Sequence, residues 1–397
     1  MKRGIFILLT LIFSAGLANA QNGYWSALVN HAWIDADFYS LAVDGDNIYL
    51  GANEGRVYLS TDNGQNWEQI GLPDVGPSDL FVLSMAANDN YIFAGTANND
   101  DIGGLYISTN NGSTWSRYLE NEGIVSLLVK GTNIFAGTMG NGVYLSTDNG
   151  SSWKQTTLKG IGISSLAIYG SNVIAGTTGN GVYLSVDMGS TWKLTDLPSS
   201  EYVGQFAIND NIIYAPLYDE GIYFSDDYAN TWSKVGSPPA IGVVSLATKG
   251  NAIFAGTEHG GVYLSTNNGE SWIEKNSGFP DVTFFTIVSI IIKDDDIFVI
   301  HSEGGAWRAK ISDLTSDVNE EEFDSENNFI YPNPATDYVN VKNYIGWQYE
   351  MHDLLGQEVQ RGILEASNIS VATLPSGMYF LVLRNGAKQI PMKFIKE

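Results

Sequence analysis

The sequence predicts an all-β chain: a seven-bladed β-propeller followed by a small Ig-like β-sandwich. Three observations lead there. First, the box Ser-x-[Asp/Asn]-x-[Gly/Ala]-x-[Ser/Thr/Asn]-Trp occurs six times, ending at Trp67, Trp115, Trp153, Trp192, Trp232 and Trp272, at spacings of 48, 38, 39, 40 and 40 residues. A fixed period in this range marks a repeat architecture. Second, each period holds four short β-rich segments parted by Gly, Asn or Asp, as at 243–248, 252–257, 261–266 and 271–276. Four antiparallel strands per period suit a propeller blade better than a solenoid coil. Third, the composition changes after Ile311, where an acidic, apolar-poor stretch over 312–328 gives way to a new alternating β pattern.

From the N-terminus, Met1–Ala20 reads as a secretory signal. Lys2 and Arg3 precede an apolar run, Ile5–Phe13, and Ala18-Asn19-Ala20 offers small residues for cleavage before Gln21. The run is too short to span a bilayer, and no later stretch resembles a membrane helix, so no membrane insertion is expected. The chain has no cysteine, so packing alone must supply stability. Its formal charge is −24, and loss of the two signal cations takes the mature form to −26 (−24 − 2). Such a surface repels nucleic acid and anionic lipid, and leaves a cation, a neutral glycan or a protein as compatible partners. The four histidines lack metal-ligand spacing, so neither metal nor cofactor is expected.

The propeller is expected over 21–311. Second strands recur seven times: Asn47–Gly51, Ile92–Gly95, Ile134–Gly137, Val173–Gly176, Ile213–Pro216, Ile253–Gly256 and Ile297–Ile300. The seventh unit ends after its third strand, Gly305–Arg308, with no box after it. Tyr24–Leu28, in which Tyr24-Trp25-Ser26 matches Thr114-Trp115-Ser116, is the candidate fourth strand and would close the ring. First strands such as Ser164-Ser165-Leu166-Ala167 and Val244-Ser245-Leu246-Ala247 alternate small and bulky residues, which fits blades converging on an axis.

Within each box the acid can accept backbone N–H bonds inside the hairpin turn. Asp62, Asp148, Asp187 and Asp227 are placed to do so, as are Asn110 and Asn267 through a neutral oxygen. Gly64, Gly112, Gly150, Gly189 and Gly269 supply a positive φ, and Ala229 strains by about 1–2 kcal/mol if it follows them. Each Trp buries apolar area between sheets. These boxes resemble the Asp-box (BNR) repeats of sialidases, plant-polymer endoglucanases, sortilin-type receptors and photosystem assembly factors. The resemblance implies a propeller whose boxes sit at the periphery of one face, away from any substrate. Because two boxes carry Asn, carboxylate chemistry is not their common purpose.

In an up-and-down blade the turns joining strands 1–2 and 3–4 share one face, and the 2–3 and 4–1 loops share the other. The second set varies in length and chemistry, through Ala97–Gly104, Leu217–Glu220, Glu258-His259 and His301–Glu303, with Tyr202 and Phe284-Phe285 in 4–1 loops. Loop variation confined to one face marks a binding surface. Tyr218, Asp219, Glu220, Glu258, His259 and Glu303 are therefore expected to engage an extracellular glycan or a surface protein. The alternative is a glycoside hydrolase, which needs two carboxylates about 5–5.5 Å or 6.5–9.5 Å apart. A sialidase is disfavoured: that family clamps substrate with three arginines, and the propeller's Arg56, Arg117 and Arg308 lie on or beside strands of the repeat pattern rather than on the variable loops. A third expectation is an adhesive surface protein with no small ligand.

The last segment, 329–397, runs through Tyr331-Pro332-Asn333-Pro334, Asp353-Leu354-Leu355-Gly356-Gln357, Leu374–Leu383 and Lys393–Glu397. Short strands and tight turns suit a sandwich. These motifs resemble the type A C-terminal sorting domain of the type IX secretion system. The resemblance implies passage through the periplasm to the cell surface or beyond, with the secretion machinery as partner. Gly377, Tyr379, Lys393 and Lys396 are the residues it marks for recognition.

Overall fold

The computed structural model describes residues 23–29, 36–72, 80–88, 91–98, 100, 103–197, 202–240, 242–279, 286–302, 305–316, 330–331, 335–341, 344–353, 357–364, 368–385 and 388–396. The expected signal segment lies outside the described residues. The chain divides into two compact units, Met1–Asp317 and Val318–Glu397.

The first unit holds seven four-stranded antiparallel sheets among the described residues. Their innermost strands are Phe38–Asp44, Phe81–Asn88, Ile124–Lys130, Ile163–Tyr169, Ala207–Asn209, Val243–Lys249 and Ile287–Lys293. Each lies against the next, and the first also lies against the last, so the sheets close a circle. The second strands are buried on both sides: Ile48 and Leu50 enter the core shared with the seventh sheet, and Tyr49 enters the core shared with the second. Burial on both faces is why these strands read as unbroken apolar runs.

The ring is completed by Ser26–Val29, which pairs antiparallel with Gly305–Lys310 as the fourth strand of the seventh sheet. Trp25 just before it is 3 % exposed, stacks on Phe279 at 4.6 Å and donates from Nε1 to Lys275 O at 2.6 Å. Trp115 makes the equivalent bond to Ile70 O, at the same repeat position, at 3.2 Å. Trp25 thus serves the junction between the sixth and seventh sheets without a box. Trp67, Trp115, Trp153, Trp192, Trp232 and Trp272 pack against the cores of the other six junctions.

Near the axis, at the glycine position of five second strands (Gly51, Gly95, Gly137, Gly176 and Gly256), the sheets approach too closely for a side chain, whereas Pro216 and Ile300 stand there in the fifth and seventh sheets. A Cβ on Gly95 would lie 2.6 Å from Ile124 Cγ2 of the next sheet. Serines of the innermost strands use that proximity. Ser40 Oγ donates to Val82 O (2.7 Å), Ser84 Oγ to Ile124 O (3.3 Å), Ser165 Oγ to Gly204 O (2.7 Å) and Ser245 Oγ to Ile287 O (3.0 Å), each in the following sheet. At the other end of the same strands, Asn88 Nδ2 reaches Gly131 O and Lys293 Nζ reaches Asp46 Oδ1, at 3.4 and 3.1 Å. Lys130 and Lys249 likewise donate to Gly170 O and Asp294 O.

The fifth sheet departs from this scheme. Gln205 occupies the serine position, its N–H donates to Val244 O at 2.9 Å, and it bridges Ser245 in parallel. Its side chain reaches the seventh sheet, where Nε2 donates to Ile290 O at 3.1 Å and Oε1 accepts from Ser289 Oγ at 3.4 Å. Where the sequence suggests a solvated linker from residue 312, Ile311–Ser316 forms a short helix. Ile311 and Leu314 stand on one side of it, both buried, and the Ile311 N–H donates to Asp295 O at 2.8 Å. Two apolar residues three apart are enough to dock one helical turn.

The second unit is a β-sandwich of a three-stranded sheet (Ile330–Tyr331, Tyr338–Val341, Asn368–Ser370) and a four-stranded sheet (Gln348–His352, Glu358–Ile363, Gly377–Asn385, Lys388–Lys396). Val339, Val341, Ile369, Met351, Leu381, Leu383 and Phe394 fill its core.

A fully buried indole removes about 150–250 Å² from water, worth about 4–6 kcal/mol at about 25 cal/mol per Å². Trp25→Ala is therefore expected to destabilise the ring by about 3–5 kcal/mol, read from the midpoint of chemical denaturation. A midpoint unmoved by the substitution would mean that the N-terminal strand is not what closes the circle.

Candidate binding face

The two faces of the ring differ in what their polar groups are doing. On the box face the aspartate at the third position of a box is consumed by its own turn. Asp62 Oδ1 accepts from Ser60 Oγ (2.9 Å), Gln65 N (3.0 Å) and Asn66 N (2.8 Å). Asp148 accepts from Ser146 Oγ, Ser152 N and Ser152 Oγ at 2.7, 2.9 and 2.6 Å, and Asp187 repeats the set with Ser185 and Thr191. Asp227 does the same with Ser225 and Thr231.

Asn110 and Asn267 keep the backbone bond and reverse one other. Their Nδ2 groups donate to Thr114 Oγ1 and Ser271 Oγ, each at 2.9 Å, where the aspartates accept from the hydroxyl. A rotatable hydroxyl satisfies either partner. The first Ser of each box is buried and accepts the N–H of the residue four positions on, as Ser60 does from Gly64 at 2.8 Å. Gly64 and Gly189 adopt φ +85° and +83°, and Ala229 follows them at +66°. The residue before each is left-handed as well: Asn63, Asn111, Asn149, Met188, Tyr228 and Asn268. The spacing alone did not reveal that second position, although Asn in four of the six boxes is the residue best suited to it.

Hydrogen bonds from the Ser152 hydroxyl and amide and the Ser146 hydroxyl hold the Asp148 carboxyl down to about 2, and the same three bonds from Thr191 and Ser185 hold Asp187 there. At Asp62 burial pulls upward, but the bonds from Asn66, Ser60 and Gln65 together outweigh it and leave the carboxyl below its ordinary value.

The opposite face is built by the 2–3 and 4–1 loops. Tyr218 follows the second strand of the fifth sheet; its N–H donates to Tyr202 O (3.1 Å), and its ring lies over Gly242, where a Cβ would come within 2.7 Å of Cε2. Glu258, in the sixth sheet, donates its N–H to Gly242 O (2.9 Å) and bridges Thr286 of the seventh. His259 Nε2 stands 3.6 Å from Glu258 Oε1, and the Ser302 N–H donates to Thr286 O at 2.9 Å. Tyr218, Glu258 and His259 are thus brought into one arc across the fifth and sixth sheets, tied to the seventh through Thr286. Asp219 is exposed beside Tyr218, whereas Glu220 turns to its own strand and accepts from Tyr223 Oη at 3.3 Å. Glu303, Asp101 and Phe284-Phe285 lie outside the described residues.

Two features of this face were not singled out in the sequence. Glu122 accepts from Tyr144 Oη (2.9 Å) and Asn141 Nδ2 (3.0 Å). Burial, the Glu122 hydrogen bond and the Glu122 charge push the Tyr144 phenol up to about 12. In the first sheet Arg56 Nη2 donates to Asn53 Oδ1 at 2.7 Å and pairs with Glu54 at 3.2 Å. Arg56 therefore closes a 2–3 loop rather than only continuing a strand. Arg117 donates to Gly103 O (2.9 Å) and lies over the Tyr106 ring, and Arg308 donates to Asn63 O at 2.9 Å. Each of the three guanidinium groups is bound within its own neighbourhood. No cluster of three metal-ligating side chains occurs among the described residues.

In the sandwich, Gly377 opens a strand and pairs with Lys396, and the buried Tyr379 donates from its hydroxyl to Pro375 O at 2.8 Å. Lys396 is buried, and Lys393 stands in the final strand opposite Phe380.

With fold and faces in place, the chain can be set beside known proteins. Residues 329–397 match the secretion system C-terminal sorting domain, and residues 58–69 match the BNR/Asp-box repeat. No curated protein matches the sequence. Among solved structures, YCF48 from Cyanidioschyzon merolae aligns at 16 % identity and TM-score 0.60, covering 73 % of this chain and 100 % of its own. YCF48 bound to D1 peptide aligns at 17 % identity and TM-score 0.59, covering 72 % of this chain and 97 % of its own. The GH74 xyloglucanase from Xanthomonas campestris aligns at 13 % identity and TM-score 0.57, covering 73 % of this chain and 54 % of its own, so this chain spans about half that enzyme's length.

The protein is an Asp-box β-propeller carrying a C-terminal sorting domain. The sorting domain indicates export through type IX secretion to the cell surface or the extracellular space.

The carboxyls of Asp148 and Asp187 are held below the ordinary value of 3.8, to about 2. A depressed carboxyl contributes stability above its unfolded value and loses it as pH falls through the folded one. Denaturation midpoints are therefore expected to drop between about pH 4 and pH 2. Replacing both residues by Asn, the residue already at positions 110 and 267, should flatten that drop, and an unchanged acid profile would show that the boxes do not set it.

Proposed function

We propose that this protein is an exported binding module whose contact surface is the face made by the 2–3 and 4–1 loops. The observation that carries this reading is the contrast in polar bonding. The box aspartates and asparagines and the first Ser of each box are bonded within their own turns, as are the indoles of Trp115, Trp153, Trp192 and Trp272, whereas the other face leaves Asp219 and His259 exposed beside an arc of Tyr218 and Glu258. Polar and aromatic groups presented on a rigid scaffold are the usual composition of a recognition surface. The partner is an extracellular glycan or a surface protein, and a ring similar in fold to YCF48 bound to D1 peptide is a suitable scaffold. The mature form acts after the sorting domain has delivered it.

Two experiments test this. The mature chain, screened against polysaccharides and surface proteins, is expected to retain a ligand that Tyr218→Ala together with Glu258→Ala weakens by about tenfold or more, in line with about 1.4 kcal/mol or more for a contact at the centre of an interface. A ligand held equally well by the double variant would place recognition elsewhere, and release of reducing ends from a bound polysaccharide would make the protein a hydrolase instead. Separately, removal of Lys393–Glu397 deletes part of the final strand, and the truncated protein is expected to accumulate in the periplasm. Normal export of that form would contradict a recognition role for Lys393 and Lys396.

A further inference from the structure

Six of the seven innermost strands carry an irregularity at the same place. Pairing with the second strand skips one residue at Tyr39, Leu83, Val125, Ser164, Val244 and Val288. A bulge adds a residue without a ladder partner and re-aims its side chain. Here the residues flanking the extra one already fill the two neighbouring junctions: Phe38 enters the core shared with the seventh sheet, and Ser40 bonds to the second. The extra side chain is left at the strand's free edge, which borders the axis at the loop-face end.

Each of the six is half-buried, and three contacts show them leaning onto the following sheet. The Tyr39 ring meets Phe81 at 5.2 Å, Ser164 Oγ donates to Val203 O at 2.6 Å, and Val288 packs against the core of the next junction. They form a collar around the axis, lined by four aliphatic side chains, the Tyr39 phenol ring and the Ser164 hydroxyl, the last already bonded to Val203 O. One residue deeper, Gln205 crosses to Ile290 and Ser289 and gives the collar a floor. The loop face beside it is acidic: Asp37 is two positions before Tyr39, Glu122, whose carboxylate is held by Tyr144 and Asn141, is three before Val125, and Glu258, 3.6 Å from His259, bridges Thr286, two before Val288.

We propose that this collar is a socket for one apolar side chain of a polypeptide whose flanking residues are cationic. The proposal rests on the loop-face reading above and names its partner class. Apart from the Tyr39 ring, already set edge-on against Phe81, the walls are aliphatic and offer a sugar neither a stacking platform nor hydrogen bonds, while they suit a Leu or Phe side chain. The acidic loop face, with Arg56 neutralised by Glu54, selects lysine or arginine on either side of it.

The test uses the mature full-length protein with four probes: a peptide with one Leu among lysines, the same peptide with Ser for Leu, a Leu peptide flanked by aspartates, and a neutral β-glucan oligosaccharide. The first is expected to bind at least tenfold more tightly than the other three, and to weaken as salt rises. Leu83→Asp and the near-isosteric Val125→Thr are each expected to reduce its affinity at least threefold, with melting temperature followed in parallel so that a misfolded Leu83→Asp leaves Val125→Thr to decide. Equal binding of the Leu and Ser peptides, or affinity unchanged by a folded collar variant, overturns the socket. If only the oligosaccharide binds and Tyr218→Ala with Glu258→Ala abolishes it, the peptide assignment fails while the loop face stands. If a ligand ignores both sets of variants, the loop face fails as well.

Discussion

Everything in the ring depends on how closely two twisted sheets can be brought together without leaving a gap unfilled. At the wide outer edge the gap is filled by an indole, one per junction, with Trp25 standing in where no box exists. At the narrow inner edge the glycines of the second strand remove the Cβ, and a serine of one sheet reaches a backbone carbonyl of the next. These bonds all point the same way around the circle. A wedge that is apolar at its rim and hydrogen-bonded at its tip has one closing geometry, because apolar packing sets the distance and the directional bonds set the register.

That arrangement also explains why the box tolerates Asn as readily as Asp. The group required is an oxygen that can accept backbone N–H bonds inside a tight turn, and both residues supply one. The remaining side-chain partner is a hydroxyl that donates or accepts as needed. A charge is not essential to such a turn, although where one is present the same bonds depress its proton affinity. A face organised in this way stiffens the ring and keeps its box carboxylates and amides occupied.

Much of this was legible in the residues. The tryptophan period, the buried second strands and the truncated seventh unit implied a closed ring, and the match of Tyr24-Trp25-Ser26 to a box end identified the strand that completes it. What escaped was of two kinds. Bulges do not disturb a short apolar pattern enough to be seen, since an extra valine or leucine reads as one more strand residue; only pairing reveals that Val125 and Val288 have no partner. The helix at Ile311–Ser316 escaped because acidic neighbours masked a single pair of apolar residues. Among the expected site residues, Tyr218, Glu258 and His259 are gathered because their loops follow equivalent strands, while Glu220 was drawn away by Tyr223, a partner that loop position alone does not disclose.

The places where the repeat breaks its own rules are informative, because a repeat has an internal standard against which each unit can be read. The fifth sheet departs most. It replaces the inner-edge glycine by Pro216, the serine by Gln205, the turn glycine by Ala229 and the preceding asparagine by Tyr228. Ala229 and Tyr228 are both held at positive φ, +66° and +65°, a conformation that costs about 1–2 kcal/mol per non-glycine residue. Local rules broken together in one unit signify a constraint other than packing. The consequence visible in the structure is that the entry of this sheet pairs in parallel with the sixth, sends Gln205 past the sixth sheet to the seventh, and sets Tyr218, bonded to Tyr202 O, over Gly242 at the loop face. The fifth sheet is therefore the element that turns a symmetric ring into one with a distinguishable side, and an asymmetric partner needs a surface of that kind.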